Sequence, residues 1–207
     1  MKSNPWLKIP PGDYEGHMSH PDVGQAEVLS RITGDILEEF QPEHFAILGC
    51  STGNGLEHVR NEITRHIYAI DIQPEYIAIV REKFAPLKGL HCIILDIDRE
   101  ELPFQNIDLF HAALVLEYVS IEPALRKMSG TLKTSGILSV VIQENINTPH
   151  VSPTLFTSLT QLNTITKAVD ENDLNRMAES YGMGLIRCRE MEIRKGKLFR
   201  HIIYQKY

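Results

Sequence analysis

The sequence predicts an α/β fold of the doubly wound class, with a mostly parallel, seven-stranded sheet and helices on both of its faces. Short apolar runs typical of buried strands alternate with amphipathic stretches typical of helices, which is the pattern of a parallel sheet. A glycine-rich turn follows the first of these runs. Two final strand-like stretches are separated by only three residues, which predicts an antiparallel C-terminal hairpin.

The composition is that of one globular domain. The chain has 207 residues, of which 43% are hydrophobic and 23% charged, enough for a core without disulfides. Its three cysteines are too scattered for a disulfide framework or a zinc site. No apolar run is long enough for a membrane span, and a net charge of −6 argues against non-specific nucleic-acid binding. We therefore expect a soluble, cytoplasmic protein without membrane or nucleic-acid partners, and the oligomeric state stays open.

The N-terminal part is expected to be an irregular arm over residues 1–19, followed by a helix from His20 to just before Pro42. The arm is interrupted by prolines and glycines but carries bulky and ionisable side chains: Trp6, Tyr14, His17, Met18 and His20. It either covers a sheet edge or forms a flap over a ligand. Two histidines without a third ligand are too few for a metal site, so we expect no metal.

The first apolar run, residues 45–48, leads into a glycine-rich turn and predicts a buried strand. Gly49, Gly53 and Gly55 lie in this turn, where glycine allows positive φ and close approach of a ligand. A helix is expected to begin at Leu56, and its first N–H groups would favour a carboxylate or phosphate of a ligand.

A second apolar run, residues 67–70, ends in Asp71, which lies 22 positions after Gly49. An acidic residue at about this spacing binds ribose hydroxyls in nucleotide-binding α/β sheets. The dinucleotide fingerprint G-x-G-x-x-G does not fit, because it would require glycine where His58 stands. These features predict a nucleoside-containing ligand other than a dinucleotide.

The run G-C-S-T-G-N-G at residues 49–55 resembles the glycine loop of class I S-adenosylmethionine-dependent methyltransferases. The resemblance extends in motif detail to about residue 142. It implies S-adenosylmethionine as cofactor, S-adenosylhomocysteine as product, and an acidic residue near the adenine. The cofactor-binding residues it implies are Gly49, Cys50, Ser51, Gly53, Asn54, Gly55, Asp71, Ile72, Asp96, Ile97, Leu114 and Tyr14.

Two positions depart from this family. Ile47 stands where members usually carry Asp or Glu in the first strand, and Ser51 replaces the middle glycine of the loop. Serine is tolerated there at little cost if its φ is negative. These departures leave a second hypothesis open, a binding protein that kept the fold and lost the chemistry. A third hypothesis, a nicotinamide-dependent oxidoreductase, is disfavoured by the loop pattern.

The remaining elements follow in order. Apolar runs predict buried strands at residues 90–95, 107–116 and 137–142, and the hairpin strands at 185–194 and 198–207. Helices are predicted to begin at Gln73 and Glu122 and over residues 153–165 and 170–181. We expect a single methyltransferase-like domain over residues 1–207. Its parts are an arm and cap helix (1–43), a cofactor-binding core (44–144), a substrate-side loop with helices (145–183) and the hairpin (184–207).

Methyl transfer needs the acceptor, the methyl group and the sulfur held in line, so it requires no conspicuous catalytic side chain. An acceptor that carries a proton benefits from a base. Glu117 is the first candidate, because it follows the fourth strand and is expected to face the crevice; its alternative role is to contact the cofactor or cap the next helix. The other candidates are His17, His20, Glu144 and His150. The predicted function is methyl transfer to a small-molecule acceptor.

Overall fold

A computed structural model describes residues 4–194 and 196–207. One seven-stranded sheet has the order β3-β2-β1-β4-β5-β7-β6. The first five strands in this order pair in parallel, and β7 pairs antiparallel with both β5 and β6. The strands are β1 (His44–Leu48), β2 (His66–Asp71), β3 (Leu90–Ile94), β4 (Ile107–Ala113), β5 (Leu132–Asn145), β6 (Met183–Arg194) and β7 (Lys197–Lys206).

Helices pack on both faces of this sheet, as the sequence predicts. The helices are α1 (Pro11–Met18), α2 (Gln25–Phe40), α3 (Pro74–Lys83), α4 (Ile121–Thr131) and α5 (Glu171–Ser180). Apolar residues of α4 and α5 join one buried cluster, and those of α2 and α3 join a second cluster on the other face. Three 3-10 segments lie at Pro5–Lys8, Leu56–His58 and Thr157–Thr164. Within residues 4–194 and 196–207, no helix has the length and apolarity that a membrane span requires.

The prediction of a helix after the glycine loop is wrong. Only the three-residue segment Leu56–His58 forms there, and turns follow it. The sequence after it offers Val59, Asn61 and Thr64, which have low helix propensity. The side chain of Glu57 accepts a hydrogen bond from the N–H of Gly55 at 2.8 Å. No helix start is therefore available to a ligand anion at this point.

The N-terminal arm is also more ordered than predicted. Residues 11–18 form helix α1, and α2 begins at Gln25 rather than at His20. Gly24, with φ of +64°, precedes α2 and separates the two helices. Residues 20–23 are turns that connect them.

Three strands differ from their predicted burial or length, and one of them, β4, ends at Ala113 rather than at residue 116. β3 was expected to be buried, but it is an edge strand, and Ile94 is 53% exposed. An apolar run alone does not distinguish an edge from an interior strand. β5 begins at Leu132 rather than at residue 137, with an irregular register against β4 before Ile137. The hairpin is confirmed, and its last strand, β7, lies inside the sheet.

Candidate functional site

A cavity lies at the carboxyl ends of β1 to β4, which is where open α/β sheets bind ligands. We call it the central cavity. Residues at or just after these strand ends form its floor: Leu48, Gly49, Ser51, Asp71, Ile72, Leu95, Asp96, Ile97, Asp98, Ala113, Leu114 and Val115. The glycine-loop turn, Asp71 and Asp96 therefore meet at one cavity, although they are far apart in the chain.

The loop after β1 is shaped by glycines that serve different purposes. Gly49 has φ of +68°, and a β-carbon there would lie 2.4 Å from Val115 Cγ2. Glycine is thus required where the chain turns over the sheet. Gly53 and Gly55 also have positive φ, but they pack against Phe84 and Thr33. They support the loop and are not part of the cavity wall.

Two further loop residues of the predicted site point away from the central cavity. The side-chain amide of Asn54 donates to the carbonyl of Ala26 at 2.9 Å, which ties the loop to α2. Cys50 is buried in the core cluster beneath α2 and α3. Of the loop, only Gly49 and Ser51 line the cavity.

Ser51 adopts a left-handed conformation, with φ of +53°, so the negative φ under which serine costs little is not met. Its N–H donates to Asp71 Oδ2 at 2.9 Å, an interaction that this backbone geometry makes possible. Its hydroxyl oxygen is buried and has no hydrogen-bond partner among the described residues. A buried hydroxyl without a partner costs free energy, so a ligand that bonds to it is favoured.

Asp71 is buried and accepts a second backbone hydrogen bond, from Gln73 N–H to Oδ1 at 2.9 Å. Burial raises the pKa of its carboxyl to about 6, and the two N–H donors oppose that rise. The carboxyl group lies on the cavity wall beside Ile72. Both of its carboxylate oxygens are thus held by backbone N–H groups at the cavity wall.

Asp96 lies across the same cavity, at the end of β3. Its Oδ1 accepts the N–H of Asp98 at 3.1 Å, which closes a turn around Ile97. The carbonyl of Ile97 accepts a hydrogen bond from the buried ammonium of Lys127 at 2.6 Å. This turn therefore presents a carboxylate and apolar side chains at a fixed place on the cavity wall.

The N-terminal segment covers the cavity with aromatic rings. Trp6 contacts Tyr118 edge-on at 5.1 Å between ring centroids, and Tyr14 contacts Tyr76 at 5.5 Å. Gln73 donates to the carbonyl of Trp6 at 3.2 Å. Burial raises the pKa of Tyr14 to about 12, so its hydroxyl stays neutral. Of the two readings of the arm, the flap over the cavity is the one this geometry supports.

Helix α1 and the segment after β5 hold each other over the cavity. A β-carbon on Gly16 would lie 2.3 Å from the ring of Phe156, so this ring packs directly on the backbone of α1. His17 Nδ1 lies 2.9 Å from the hydroxyl of Thr154, and Ser158 donates to Asp13 at 2.6 Å. We call this pair of segments the cover.

Glu117 does not line the cavity. It is fully buried, and its Oε1 accepts the N–H of Gln143 at 2.8 Å, while Oε2 has no partner among the described residues. Burial raises the pKa of Glu117 to about 7. Its neighbour Tyr118 does line the cavity. The role of Glu117 as base stays a prediction, and the geometry gives it no direct access to an acceptor.

The other predicted bases separate into two groups. His17 and His150 line the cavity. His20 lies beside Asp22 outside it, and Glu144 pairs with Arg200 on the surface. Burial, with Lys197 as a further cause, lowers the pKa of His17 and of His150 to about 4, so both rings are neutral at pH 7.

Several cavity residues carried no signal in the sequence. They come from helices, from β5 and from the segment after it, where an ordinary core residue looks the same: Gln25, Leu29, Tyr76, Gln143, Val151, Leu159 and Leu162. Tyr76 resembles Ser51 in that its buried hydroxyl has no partner among the described residues. Among all the residues that the structure describes, no three His, Cys, Asp or Glu side chains are arranged to bind a metal ion.

Comparisons with known proteins agree with this geometry. A family model described as a methyltransferase domain matches residues 47–140. A search of curated proteins by sequence found no match. Many solved structures share the fold. One is an S-adenosylmethionine-dependent methyltransferase from Mesorhizobium loti, with a TM-score of 0.67 and 14% identity over 83% of this chain and 96% of that one.

Two further similar structures were solved with bound ligands. Geranyl diphosphate C-methyltransferase from Streptomyces coelicolor A3(2), in complex with Mg²⁺, geranyl diphosphate and S-adenosylhomocysteine, has a TM-score of 0.68 at 9% identity. The match covers 96% of this chain and 88% of that one. Magnesium protoporphyrin IX methyltransferase from Synechocystis, with bound S-adenosylhomocysteine, has a TM-score of 0.64 at 12% identity, over 89% and 84% of the two chains.

Proposed function

Because the chain has the class I S-adenosylmethionine-dependent methyltransferase fold, we propose that it transfers a methyl group from S-adenosylmethionine to a small-molecule acceptor in the central cavity. The observation that carries this proposal is the meeting of Gly49, Asp71 and Asp96 at one cavity.

The residues of the cavity fit an adenosine with an amino-acid tail. Asp71, held by two backbone amides, accepts hydrogen bonds from the ribose hydroxyls. Asp96 accepts from the adenine amino group, and the apolar side chains of Ile72, Ile97 and Leu114 pack against the ring. The unpaired hydroxyls of Ser51 and Tyr76 provide polar contacts for the ligand.

The acceptor binds on the other side of the cavity, between the cover and the ends of β4 and β5. This side is lined by aromatic, apolar and neutral polar side chains, including Trp6, Tyr118, Leu159, His17 and His150. When bound, the cofactor supplies a methyl group on a positively charged sulfur, which leaves as a neutral thioether. The cover excludes water and holds the acceptor in line, which is the main contribution this chain makes to the rate.

Proton removal plays a small part in this proposal. The two histidines that line the acceptor side have lowered pKa values, so they are weak bases, and Glu117 lies behind the wall. The acceptor atom is thus one that is nucleophilic without a strong base, such as an acidic hydroxyl already ionised at pH 7.

Ligand binding tests the proposal, and Trp6 makes it measurable. It is the only tryptophan in the chain and lies on the cavity wall, so its fluorescence reports occupancy. Titrations with S-adenosylmethionine, S-adenosylhomocysteine and NAD, repeated by calorimetry, should show binding of the two S-adenosyl compounds only. Binding of NAD alone, or of none of the three, would refute the assignment. Release of S-adenosylhomocysteine with a panel of acceptors then separates an enzyme from a binding protein.

Replacing Asp71 identifies the ribose contact. Asp71→Ala should weaken S-adenosylhomocysteine binding about 10- to 100-fold, the loss expected for hydrogen bonds to a charged group. Asp35→Ala is the matched control, because Asp35 is exposed on α2 and does not line the central cavity. Unfolding by denaturant should confirm that both variants fold. Unchanged affinity in folded Asp71→Ala would remove this role.

A further inference from the structure

His150 is held by its neighbours in an unusually complete way. Its carbonyl oxygen accepts two hydrogen bonds, from the Gln143 side-chain nitrogen at 2.8 Å and from the Lys197 ammonium at 2.6 Å. Its ring lies edge-on to Tyr118, with centroids 5.7 Å apart and planes at 85°. Ring nitrogen Nδ1 lies 3.0 Å from the side-chain nitrogen of Asn145. Backbone and ring are therefore both fixed at the cavity wall.

This network determines which ring nitrogen carries the proton. A carbonyl oxygen only accepts hydrogen bonds, so the Gln143 atom that contacts the His150 carbonyl must be the amide nitrogen. The same nitrogen contacts Asn145 at 2.7 Å, and that contact must be made by the Asn145 oxygen. The other end of the Asn145 amide, its NH₂ group, then faces His150 Nδ1 and donates to it. Nδ1 is an acceptor, and in a neutral ring the proton is on Nε2.

The orientation of Gln143 is supported from the opposite side as well. Its side-chain oxygen accepts from the Gln25 amide at 2.6 Å, and its backbone N–H donates to Glu117. Reversing any side-chain amide in this hydrogen-bond network would place two donors or two acceptors opposite each other. The tautomer of His150 is thus the only one that satisfies every member of the network.

We propose that His150 serves the acceptor as a hydrogen-bond donor through Nε2–H, and that the acceptor carries an oxygen or nitrogen lone pair facing this residue. The inference rests on the proposed function for the identity of the ligand. His150 Nε2 has no hydrogen-bond partner among the described residues. It is also not one of the fully buried polar atoms that lack a partner, so it is accessible. Since His150 lines the cavity, its free N–H is available to a molecule bound there.

Burial and one neighbouring positive charge keep the His150 ring neutral. The ammonium of Lys197 lies against the same residue, and the Glu117 carboxyl is separated from it by Gln143. Burial, followed by the charge of Lys197, lowers the pKa of His150 to about 4, so the ring does not become cationic near pH 7. Tyr118, the remaining titratable group in ring contact, has a raised pKa and is also neutral. His150 therefore orients an acceptor and does not remove its proton.

Nitrogen-15 NMR of the uniformly labelled full chain tests the tautomer without any ligand. Long-range nitrogen–proton spectra at pH 7 should show one histidine with unprotonated Nδ1 and protonated Nε2 that is lost in His150→Gln. A proton on Nδ1, or a charged ring, would overturn the proposal. This result does not depend on cofactor binding, so it is distinguishable from failure of the proposed function.

Two variants that each add a negative charge test whether Asn145 determines the tautomer of His150. In Asn145→Asp the carboxylate still accepts from Gln143, but it can no longer donate to Nδ1, so the proton should move to Nδ1. The matched control is Asn147→Asp, which adds the same charge two residues further along the chain, where no hydrogen bond to His150 is made. If Asn145→Asp keeps the Nε2–H tautomer, or if the control changes it, the network does not set the tautomer.

Two small aromatic probes test the ligand class, in protein saturated with S-adenosylhomocysteine. Acetophenone can only accept a hydrogen bond, whereas benzylammonium can only donate. Acetophenone should move the His150 Nε2–H proton signal, with the shift abolished in His150→Gln, and benzylammonium should leave it in place. A shift with benzylammonium, or with neither probe at millimolar concentration, would overturn the role in acceptor recognition.

Discussion

Residues of the central cavity could be predicted from the sequence where they belong to a recognisable motif. Gly49, Asp71 and Asp96 are indicated by their spacing and by their place after apolar runs, and all three line the cavity. Gln143 and Tyr76 could not be found this way, because their roles arise only when distant segments meet. Ser51 shows the opposite limit: the substitution is visible in the sequence, but its positive φ is a property of the folded loop.

Ser51→Gly should change stability and affinity in opposite directions. Removing a left-handed, buried serine relieves backbone strain and an unpaired hydroxyl, so the free energy of unfolding should rise by about 1 kcal/mol. The lost hydroxyl should weaken S-adenosylhomocysteine binding about 3- to 10-fold. Denaturant unfolding and calorimetry measure the two effects.

Ser135→Gly provides the control for this variant. Ser135 also has a positive φ, of +64°, but it is exposed and lies outside the central cavity. Its replacement should stabilise the fold and leave ligand affinity unchanged. If Ser51→Gly binds the ligand as tightly as Ser135→Gly does, the Ser51 hydroxyl makes no ligand contact.

Glu117→Gln should become relatively more stable as the pH rises. The pKa of Glu117 is raised to about 7 in the fold from its usual 4.5, so its contribution is complete below pH 4.5 and is lost as the pH rises through 7. Glutamine does not titrate. The stability of the variant relative to the original chain should therefore increase by about 2–3 kcal/mol from pH 4.5 to 7.5.

Unfolding by urea across this pH range measures the difference for Glu117→Gln. A relative stability that stays constant would show that the pKa of Glu117 is the same in the folded and the unfolded chain. The same variant tests the predicted catalytic role. Loss of turnover with unchanged cofactor affinity would support Glu117 as a base, whereas retained turnover would exclude it.

At the scale of elements, strand positions along the chain followed from the sequence better than helix positions did. Apolar runs located β1, β2 and β4, because buried parallel strands have a strong compositional pattern. Helix α1 was missed because Gly12 and Gly16 obscure its periodicity. The helix expected at Leu56 failed because local propensity is low there and Glu57 bonds within the loop.

Replacing each of the two glycines of α1 with alanine should have opposite effects on stability. A β-carbon added at Gly12 would have no atom of the described residues within 4 Å, so Gly12→Ala should stabilise the helix by up to about 1 kcal/mol. Gly16→Ala places a methyl group into the Phe156 ring and should destabilise the cover by about 1–3 kcal/mol.

Hydrogen exchange of residues 150–164, with Trp6 fluorescence, measures the state of the cover in these two variants. Faster exchange and weaker ligand binding are expected for Gly16→Ala only. Equal behaviour of the two alanine variants would mean that α1 does not hold this segment in place.

For the whole molecule, buried neutral histidines make the free energy of unfolding depend on pH. Burial lowers the pKa of four histidines from 6.5 to between about 3 and 4: His17, His111, His150 and His201. The unfolded chain binds more protons than the fold in this range, so stability is lost as the pH falls below 6.5. Asp71 and Glu117, with raised pKa values, oppose part of this loss.

The free energy of unfolding should consequently fall by about 2 kcal/mol per pH unit between pH 6 and 5. Urea unfolding at several pH values gives this slope. His201→Gln should reduce it, because His201 is buried and contacts Ser139. His91→Gln is the control, since His91 is exposed. A slope unaffected by His201→Gln would show that this histidine does not contribute.

The position of β7 between β5 and β6 has a consequence for biosynthesis. The strand that completes the sheet follows β6 in the chain, so β6 cannot join the sheet until β7 has also left the ribosome. Until then the nascent polypeptide keeps the long edge of β5 open, a state prone to association.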